Sequence, residues 1–374
     1  MFVSHLELAD FRNYESASLP LDPGPNLVVG SNGQGKTNLV EAVNYLATLG
    51  SHRVSSDQAL IRQGRDAAVV RARLEHLGRQ LTVELQLNRH GANRAQLNRA
   101  PVKPRELPRY VHAVLFAPED LALVRGEPSG RRRFLDQLLV QLTPRMSGVL
   151  ADYERVLRQR NSLLKSARAS RVASSQLSTL DVWDERLVDL GSELIEARGE
   201  LVAALRPFVG EAYAAIAGEV HEAELASELS ILGAAPDEET EVDEQTVVRT
   251  EIDRAAAVAA FTEILARNRR AELERGLTLA GPHRDDLLLR LNGLPARGYA
   301  SHGESWSFAL ALRLASAALL RADSPTGDPV LILDDVFAEL DESRRQRLAD
   351  AVGGYEQVLI TAAVESDVPP ALAA

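Results

Sequence analysis

Alternating apolar and polar residues mark the first third of the chain as rich in β-strands. Leu6 and Leu8 alternate with polar neighbours near the start. Residues 81–88 alternate without exception, so the segment has one apolar face and is predicted to be a half-buried strand. Residues 69–74 precede it across His76-Leu77-Gly78. The two segments are therefore predicted to pair as a β-hairpin.

Two shorter apolar segments predict buried strands. Pro23-Gly24-Pro25 is predicted to form a turn before the strand Leu27-Val28-Val29. Residues 330–333 are apolar at every position, which is typical of a central parallel strand covered on both faces. Strand and glycine patterns return after Gly276. The C-terminal third is therefore expected to supply the second half of the core.

The middle of the chain changes to a helical period at about Gly130. Apolar residues there recur at the three- and four-residue steps of coiled-coil helices. The first series is Leu150, Tyr153, Leu157 and Leu164, and the second is Trp183, Leu187, Leu190, Leu194, Ala197, Leu201, Ala204 and Phe208. The Ser/Ala-rich residues 166–178 between them are predicted to form the bend of a short antiparallel arm. The acidic residues 236–244 are predicted to form an exposed loop.

These patterns predict an α/β chain whose head is split around an inserted arm. The head is expected to comprise residues 1–130 and 262–374, with a mixed central sheet and a β-rich lobe. The helical arm is expected to comprise residues 131–261. A chain of 374 residues is long enough to bury a full core and to carry a second module.

The composition is that of an ordinary globular protein, with 45% apolar and 25% charged residues. The absence of cysteine excludes disulfides and thiolate metal sites. The first seven residues lack the basic and apolar regions of a signal peptide. The longest apolar stretch, Phe308 to Leu320, is interrupted by Arg313 and is too short to span a bilayer. A cytoplasmic protein without a membrane segment is expected.

The net charge of -11 hides an uneven distribution. Residues 211–260 hold 13 acidic and 2 basic residues, which accounts for the whole acidic excess. Residues 51–150 hold 17 basic and 9 acidic residues, a balance of +8. The overall charge therefore does not exclude nucleic acid as a partner. A solvated face is the alternative explanation for either segment.

The first chemical motif is a glycine-rich loop between the strand at 27–29 and the helical segment 38–46. It reads Gly30-Ser31-Asn32-Gly33-Gln34-Gly35-Lys36-Thr37 and matches the phosphate-binding pattern G-x-x-x-x-G-K-[ST]. Its backbone N–H groups and the following helix N-terminus favour phosphate oxygens, so all eight residues are candidate ATP contacts. Lys36 is predicted to contact the β- and γ-phosphates, and Thr37 to bind Mg²⁺.

The second motif is a pair of carboxylates at the end of the apolar strand 330–333. Asp334 is predicted to hold Mg²⁺, directly or through water, together with Thr37. Asp335 is predicted to orient or deprotonate the attacking water. With Lys36, these two aspartates are the candidate catalytic residues of an ATPase.

The third motif resembles the signature sequence S-x-G-[QE] of ABC ATPases. Ser301-His302-Gly303-Glu304 precedes the apolar helical segment 305–320, and residues 338–341 stand where those ATPases have their D-loop. In that superfamily the signature of one subunit caps the nucleotide of the other. Ser301 and Gly303 are therefore predicted to bind the γ-phosphate at a helix start, across a homodimer interface. The head is thus expected to be an ABC-type phosphate-loop ATPase.

Four further segments point to one family. They are Phe11-Arg12-Asn13-Tyr14, Phe116-Ala117-Pro118-Glu119-Asp120-Leu121, Arg131-Arg132-Arg133-Phe134-Leu135-Asp136 and Ala280-Gly281-Pro282-His283-Arg284-Asp285-Asp286. Together with the ATPase motifs they resemble the RecF family of SMC-like ABC ATPases, over essentially the whole chain. The resemblance implies a DNA repair and replication protein that binds DNA at gaps in an ATP-dependent manner. It also implies slow ATP hydrolysis and cooperation with RecO and RecR proteins in loading RecA.

The resemblance carries over to individual residues. It places Arg12 and Asn13 beside the base or ribose of the nucleotide, with a surface ion pair as the alternative for Arg12. It places residues 118–120 at the Q-loop beside Mg²⁺. Residues 131–133 are candidates for DNA phosphate contacts, with a charge cluster at a helix start as the alternative. His283 is expected to be a structural hydrogen-bonding residue.

Three positions depart from related ATPases. His302 stands where the family commonly has glutamine, which leaves the roles of Ser301 and Gly303 intact. The last core strand lacks the switch histidine of ABC transporters, which leaves Thr361 as a candidate γ-phosphate sensor and fits a slow ATPase. Asp335 replaces the transporter glutamate, and its shorter side chain is expected to place the water less well.

Two other ATPase classes share these motifs. An ABC-transporter subunit would need a helical subdomain that docks on membrane helices, and it would usually carry the missing histidine. A structural clamp of the SMC type would need far longer arms. ATPase activity that rises with gapped or double-stranded DNA would favour the repair function over the transporter function.

Overall fold

The computed structural model describes residues 1–54, 56–170, 178–218, 221–233, 251–323 and 327–373. Its strands form three sheets. An antiparallel sheet has the order β2-β1-β4-β5-β6-β7, a parallel sheet the order β3-β13-β12-β8, and a small antiparallel sheet the order β11-β10-β9. The strands are β1 (Phe2–Phe11), β2 (Tyr14–Pro20), β3 (Gly24–Val29), β4 (Ala67–His76), β5 (Arg79–Asn88), β6 (Arg94–Leu97), β7 (Ala100–Val102), β8 (Ala113–Phe116), β9 (Ala223–Glu228), β10 (Asp286–Leu291), β11 (Leu294–Pro295), β12 (Val330–Asp334) and β13 (Gln357–Ala362).

Helices cover the parallel sheet and form the middle of the chain. They are α1 (Lys36–Thr48), α2 (Leu121–Arg125), α3 (Pro128–Leu142), α4 (Met146–Ser170), α5 (Ser178–Ala217), α6 (Arg254–Arg275), α7 (Ala296–Tyr299), α8 (His302–Asp323) and α9 (Glu342–Val352). The described residues include no helix with the length and apolarity needed to cross a membrane.

The predicted hairpin is confirmed. β4 and β5 pair antiparallel from Ala67–Asn88 to His76–Arg79. Leu77 and Gly78 form the turn, and both have a positive φ, of 47° and 73°. This pair of left-handed residues is the backbone that a two-residue hairpin turn requires.

The predicted turn at Pro23-Gly24-Pro25 is wrong in its extent, because β3 already begins at Gly24. Among the described strands, β3 is at the edge of its sheet and pairs with β13. The Gly24 N–H donates to Glu356 O across this pair, at 2.8 Å. Alternation along the strand therefore directs Pro25, which lacks an N–H, to the open edge. A proline that would disrupt a central strand is tolerated here.

The apolar strand β12 is buried on both faces, as its sequence predicts. Val330 and Ile332 belong to a cluster with α1 and the large antiparallel sheet. Leu331 and Leu333 belong to a second cluster with α3, α5 and α8. Because successive side chains of a strand point to opposite faces, a strand between two such clusters must be apolar at every position.

The two long helical patterns are confirmed as α4 and α5, which pack against each other. Gly191 on α5 lies at a tightly packed point of this region. A Cβ added there would lie 2.6 Å from the Phe261 ring of α6 and 3.1 Å from the Tyr153 ring of α4. α4 extends to Ser170, into the predicted bend, and residues 171–177 lie outside the described residues, as does the acidic stretch 236–244.

The division into a head and an arm stays a prediction. One continuous buried cluster includes arm residues such as Leu194 and Leu201 together with Phe308 of α8 and Leu333 of β12. Packing alone therefore draws no boundary between residues 131–261 and the rest of the chain.

A buried ion network joins α4, α5 and α6, and α6 itself crosses the predicted boundary between residues 261 and 262. Arg160 on α4 has no exposed side-chain surface. Its guanidinium donates to Asp184 on α5 at 2.6 Å, to Glu272 on α6 at 2.6 Å and to the Thr278 hydroxyl at 2.8 Å. Glu272, also without exposed side-chain surface, accepts a further bond from the Leu279 N–H at 2.9 Å. The positive charge of Arg160 and the negative charge of Glu272 therefore neutralise each other in a buried position.

We expect Arg160→Met to destabilise the fold by about 3–5 kcal/mol, because it leaves the Glu272 carboxylate buried without a counter-charge. The double variant Arg160→Met/Glu272→Gln should recover much of this loss, since the amide can still accept from Leu279 and carries no charge. Urea denaturation followed by circular dichroism measures both. Equal destabilisation of the single and double variants would contradict the charge argument.

Candidate nucleotide site

The glycine-rich loop connects the end of β3 to the first residue of α1. Gly33 and Gly35 have φ values of 86° and 106°, a backbone that other residues rarely adopt. Gly35 is also closely packed, since a Cβ there would lie 2.7 Å from Asn13 Nδ2. Residues 31–34 are exposed. The loop is thus an accessible turn at the N-terminus of a helix, where backbone N–H groups and the helix dipole favour an anion.

Lys36 lies within the curve of this loop. Its ammonium donates to the Gly30 carbonyl at 2.7 Å and to Asn32 Oδ1 at 3.5 Å. The side chain is buried although it carries a charge. Its partners are neutral oxygens of the loop itself, so the charge is available for phosphate oxygens.

Thr37 and Asp334 meet although 297 positions separate them. The Thr37 hydroxyl donates to Asp334 Oδ1 at 3.0 Å. The same oxygen accepts from the Thr361 hydroxyl at 2.6 Å. β3, β12 and β13 are parallel and end at the same edge of the sheet, so residues that follow or end these strands lie together there. The structure therefore brings the two predicted metal ligands into contact.

Asp335 has a left-handed backbone, with φ 51°. Its N–H donates to the Thr361 hydroxyl at 3.0 Å. A non-glycine residue with positive φ is strained and is held there by its surroundings. Thr361 supplies part of that support, since it contacts both aspartates. It supports the Asp334 carboxylate and the Asp335 backbone from the neighbouring strand, a role that the sequence alone did not reveal.

The electrostatics at Asp334 suit a cation. Burial raises the pKa of the Asp334 carboxyl, and the hydrogen bonds from Thr361 and Thr37 only partly counter this. A positive ion would offset the cost of holding this carboxylate charged. Thr37 and Asp334 are hard oxygen donors of the type that Mg²⁺ prefers, so the two residues fit the ion. The described residues contain no group of three or more His, Cys, Asp or Glu side chains that could hold a metal ion. Mg²⁺ usually takes its remaining ligands from phosphates and water.

His52 is a site residue that the sequence analysis missed. It follows α1 and places Nε2 4.0 Å from Asp334 Oδ2. Both ring nitrogens are buried without a hydrogen-bond partner among the described residues. Burial lowers the pKa of the imidazole, against the opposing charges of Glu119 and Glu41. The available signal was a histidine in a short polar segment directly after the phosphate-loop helix.

Asn13 and Arg12 lie beside the loop in different ways. Asn13 donates to the Gln34 carbonyl at 3.2 Å and accepts from the Asn38 side chain at 2.7 Å, so it supports the loop. Arg12 donates twice to Glu41 of α1, at 2.9 and 2.7 Å. Burial favours a raised pKa for the Glu41 carboxyl, but bonds from Arg12 and Ser51 shift it lower. The ion-pair alternative for Arg12 is therefore present, and its contact with a nucleotide stays a prediction.

The predicted Q-loop, residues 118–120, forms an ion pair with α8. Asp120 accepts from Arg313 at 2.5 Å and from the Ala117 N–H at 3.0 Å. Glu119 is exposed and its charge acts on His52. Arg125, at the end of α2, donates to the Ser305 hydroxyl at 3.1 Å. The segment after β8 thus contacts both the nucleotide end of the molecule and the signature helix.

The signature segment forms a capping box at the start of α8. The Ser301 N–H donates to Glu304 Oε2 at 2.7 Å, and the Ser301 hydroxyl accepts from the Glu304 N–H at 3.3 Å. These bonds lower the pKa of Glu304. Within the described part of the chain, no hydrogen bond of Ser301 reaches the phosphate-binding loop. The described hydrogen bonds therefore give Ser301 no direct link to Lys36, Thr37 or Asp334.

The prediction of phosphate contacts is wrong for Arg131. Its guanidinium pairs twice with Asp286, at 2.7 and 2.6 Å, and also donates to the Leu123 and Gly126 carbonyls. The side chain is 5% exposed and most of its donors are engaged, so a DNA phosphate has no access to it. Arg132 donates to the Asp285 carbonyl at 2.7 Å. Arg133 is exposed and remains a candidate.

His283 has the structural role that the sequence analysis expected. Its Nδ1 lies 2.7 Å from the Tyr153 hydroxyl and its Nε2 lies 3.3 Å from the Thr278 carbonyl. Burial lowers the pKa of His283 to about 3. A histidine that remains neutral and links α4 to the segment before β10 supports the packing of the arm.

Known proteins share this architecture. The sequence profile of the family described as RecF/RecN/SMC N terminal domain matches residues 2–369. The DNA replication and repair protein RecF of Clavibacter michiganensis subsp. michiganensis is 66% identical, over 100% of this chain and 93% of its own length. The RecF protein of Frankia alni is 57% identical, over 100% of this chain and 96% of its own.

Solved structures agree with the sequence comparisons. The structure of the recombination mediator protein RecF-ATPrS in the RecFOR pathway superposes with a TM-score of 0.85 at 27% identity, over 98% of this chain and 94% of that chain. The Smc head domain of Pyrococcus furiosus, at 15% identity and a TM-score of 0.50, shares the fold. The predicted α/β ABC-type head with a helical region is thereby confirmed. On these full-length similarities, the chain belongs to the RecF family of ATP-binding, SMC-like ATPases.

Proposed function

We propose that the chain is a recombination mediator of DNA replication and repair that uses ATP as a switch for holding DNA. The observation that carries this proposal is the full-length similarity to RecF proteins, at 66% identity. The transporter and SMC-clamp alternatives lack comparable support, since the Smc head is only 15% identical and is evidence for the fold alone.

ATP would bind at the loop of residues 30–37. The exposed backbone of residues 31–34 would receive the phosphates at the N-terminus of α1. Lys36 would transfer its hydrogen bonds from Gly30 and Asn32 to the β- and γ-phosphate oxygens. Thr37 and Asp334 would hold Mg²⁺, which neutralises phosphate charge when bound. Asn13 supports the loop through Gln34 and would keep its curvature.

Hydrolysis would be slow. Asp335 would orient the attacking water or accept its proton. Thr361 stands where transporters have a switch histidine, and its hydroxyl is already engaged with Asp334 and the Asp335 N–H. Because this hydroxyl already bonds Asp334 and the Asp335 N–H, it would be a weak sensor of the γ-phosphate. This favours an ATPase with a slow basal rate, for which DNA would be the activator.

A homodimer would complete the site. Ser301 and Gly303 lie at the N-terminus of α8, which favours an anion. Ser301 makes no hydrogen bond to its own phosphate-binding loop among the described residues. A second copy could place its signature over the nucleotide of the first. Two ATP molecules would then hold the dimer closed, and hydrolysis would open it.

DNA would be held mainly through its phosphates. Five exposed basic residues follow one another along the chain, on β6 and on the turns before and after β7: Arg94, Arg99, Lys103, Arg105 and Arg109. They belong to the segment with a charge balance of +8. Their side chains, unlike that of Arg131, make no hydrogen bond or ion pair among the described residues. Contacts of this kind give affinity with little base reading. RecO- and RecR-type proteins in the cytoplasm would be the partners in loading RecA at gaps.

We expect ATP to increase affinity for gapped duplex DNA, and Lys36→Met to abolish the increase, because the loop loses its only side-chain cation. Fluorescence anisotropy with and without ATP measures the effect on duplex, gapped and single-stranded DNA. Lys165→Met, an exposed position on α4, is the matched control. An unchanged ATP response in Lys36→Met would contradict the loop assignment. Equal affinity with and without ATP in the wild type would contradict the switch.

We expect Asp335→Asn to bind ATP and dimerise but to hydrolyse about 10²–10⁴-fold more slowly, because an amide cannot accept the proton of the water. Its complex with DNA should outlast that of the wild type. Phosphate release and DNA dissociation after dilution measure the two effects. Asp350→Asn, an exposed acid on α9, controls for loss of charge. Wild-type turnover by Asp335→Asn would place the base elsewhere.

We expect Ser301→Arg to block dimer closure, because a bulky cation would replace the contact with the partner's γ-phosphate. ATP binding by the isolated chain should survive, since Lys36, Thr37 and Asp334 are unchanged. Light scattering and titration with a fluorescent ATP analogue measure these effects separately. Ser170→Arg, at the exposed end of α4, is the control. Loss of ATP binding in the Ser301→Arg monomer would show that the signature serves its own subunit.

Mixing variants makes the same test sharper. A mixed dimer of Lys36→Met and Ser301→Arg chains has one site with an intact Lys36 and an intact Ser301 opposite. Some ATPase activity should therefore return when two inactive proteins are combined, provided one closed site suffices. Continued inactivity of a mixture that does form dimers would count against a composite site.

A further inference from the structure

Arg344 connects the D-loop, residues 338–341, with the signature helix α8. It lies in the first turn of α9, directly after the D-loop residues 338–341. Its guanidinium pairs with the Asp341 carboxylate, and its Nε donates to the Ser307 hydroxyl at 3.1 Å. Ser307 is fully buried, in the second turn of the signature helix α8. One side chain therefore spans the gap between the D-loop and the signature helix.

The same guanidinium lies close to the glycine of the signature, so a side chain there would displace it. A Cβ added at Gly303 would lie 2.9 Å from Arg344 Nη2 and 3.2 Å from Nη1. Gly303 has no positive φ, so its backbone does not by itself demand glycine. Its lack of a side chain leaves room for Arg344 to lie against the first turn of α8.

Each end of this bridge is itself fixed. Asp341 caps α9 by accepting from the Arg344 N–H at 2.9 Å, and hydrogen bonds from the backbone and side chain of Arg344 lower the pKa of the Asp341 carboxyl. Ser301 and Glu304 fix the start of α8 through their capping box. The two helix starts, each with exposed residues, are thus held in one geometry by Arg344.

Stability alone does not explain this arrangement. The Asp341 side chain is 50% exposed, and ion pairs at such positions contribute little to the free energy of unfolding. A contact that contributes little to stability but sets the relative position of two exposed segments is suited to fixing a binding surface. Both segments belong to the face that the proposed dimer would apply to the opposite nucleotide.

We propose that Arg344 is a positioning residue that holds the signature and the D-loop of one subunit as a rigid unit for the nucleotide of the other subunit. The inference rests on the proposed ATP-dependent dimer. In this scheme Arg344 acts without touching the nucleotide: its Nε donates to Ser307 and its Nη1 to Asp341. Its effect is exerted through Ser301 and Gly303, whose position relative to residue 341 it sets.

Arg344→Met tests the proposal, since it keeps the aliphatic length and removes the charge. Affinity of the isolated chain for ATP should stay within about twofold, while ATP-dependent dimerisation should weaken about tenfold or more, the loss expected for hydrogen bonds to a charged group. Arg347→Met is the matched control on the same helix, because Arg347 donates to the Ile216 and Ala217 carbonyls at the end of α5. Dimerisation of this control should be unchanged. Sedimentation velocity at saturating ATP measures dimerisation.

A mixing experiment separates action on the opposite site from action on the same site. A dimer of Arg344→Met and Lys36→Met chains contains one site with an intact Lys36 and an intact Arg344 opposite, so ATPase activity should return. Arg344→Lys should lie between the wild type and Arg344→Met, because one ammonium can reach Asp341 or Ser307 but cannot bridge both as the guanidinium does.

Three results would overturn the inference. They are unchanged dimerisation of Arg344→Met, an equal defect in Arg347→Met, and no return of activity in mixed dimers that do form. If Ser301→Arg still passes its own mixing test, only the role of Arg344 fails. If Ser301→Arg fails as well, the dimer mechanism itself is wrong. A melting curve for each variant shows whether a defect reflects misfolding, and Ser307→Ala then tests the same bridge from its other end.

Discussion

The rest of the site depends on the carboxylate of Asp334. It is buried at the end of β12, where an unpartnered charge would be strongly destabilising. Its Oδ1 accepts from Thr37, at the start of α1, and from Thr361, near the end of β13. These hydrogen bonds require β3, β12 and β13 to run parallel and to end at one edge. The strand order β3-β13-β12-β8 provides this, with the two ends of the chain contributing to one sheet. The nucleotide site is therefore also the junction of the N- and C-terminal segments.

Residues with unusual or closely packed backbone lie around that junction. Gly35 adopts φ 106° against Asn13, and Asp335 adopts φ 51° against Thr361. Such conformations persist where surrounding contacts fix them. The described hydrogen bonds do not join the signature to this region. Ser301 and Glu304 form a capping box at the start of α8 instead. This arrangement is consistent with the proposed composite site between two copies.

Local chemistry was predictable, and long-range pairing was not. The loop spacing at 30–37, the two-residue hairpin turn and the uniformly apolar β12 follow from backbone geometry and burial, so their sequences identify them. The partner of a charged residue leaves no such signal. From the sequence alone Arg131 is predicted to be a surface charge, but in the structure Asp286 of β10 lies beside it. No sequence pattern predicts the contact between Arg344 and Ser307. The same holds for Thr361, whose bracing role depends on its register against Asp334. Periodicity defines elements, whereas tertiary register decides which side chains share a site.

This distinction changes how the charge of the chain must be interpreted. Many of its arginines are internal structural residues: Arg12 on Glu41, Arg131 on Asp286, Arg160 on Glu272 and Arg198 on Asp136. A guanidinium with most of its donors engaged and little exposure contributes almost nothing to the field outside the protein, because its carboxylate partner cancels it at short range. The regional charge balance of +8 therefore affects DNA binding only through basic residues that are exposed, such as Arg94, Arg99 and Lys103. A DNA phosphate would meet that exposed subset, so exposure and pairing, rather than the count of basic residues, define where a polyanion can bind.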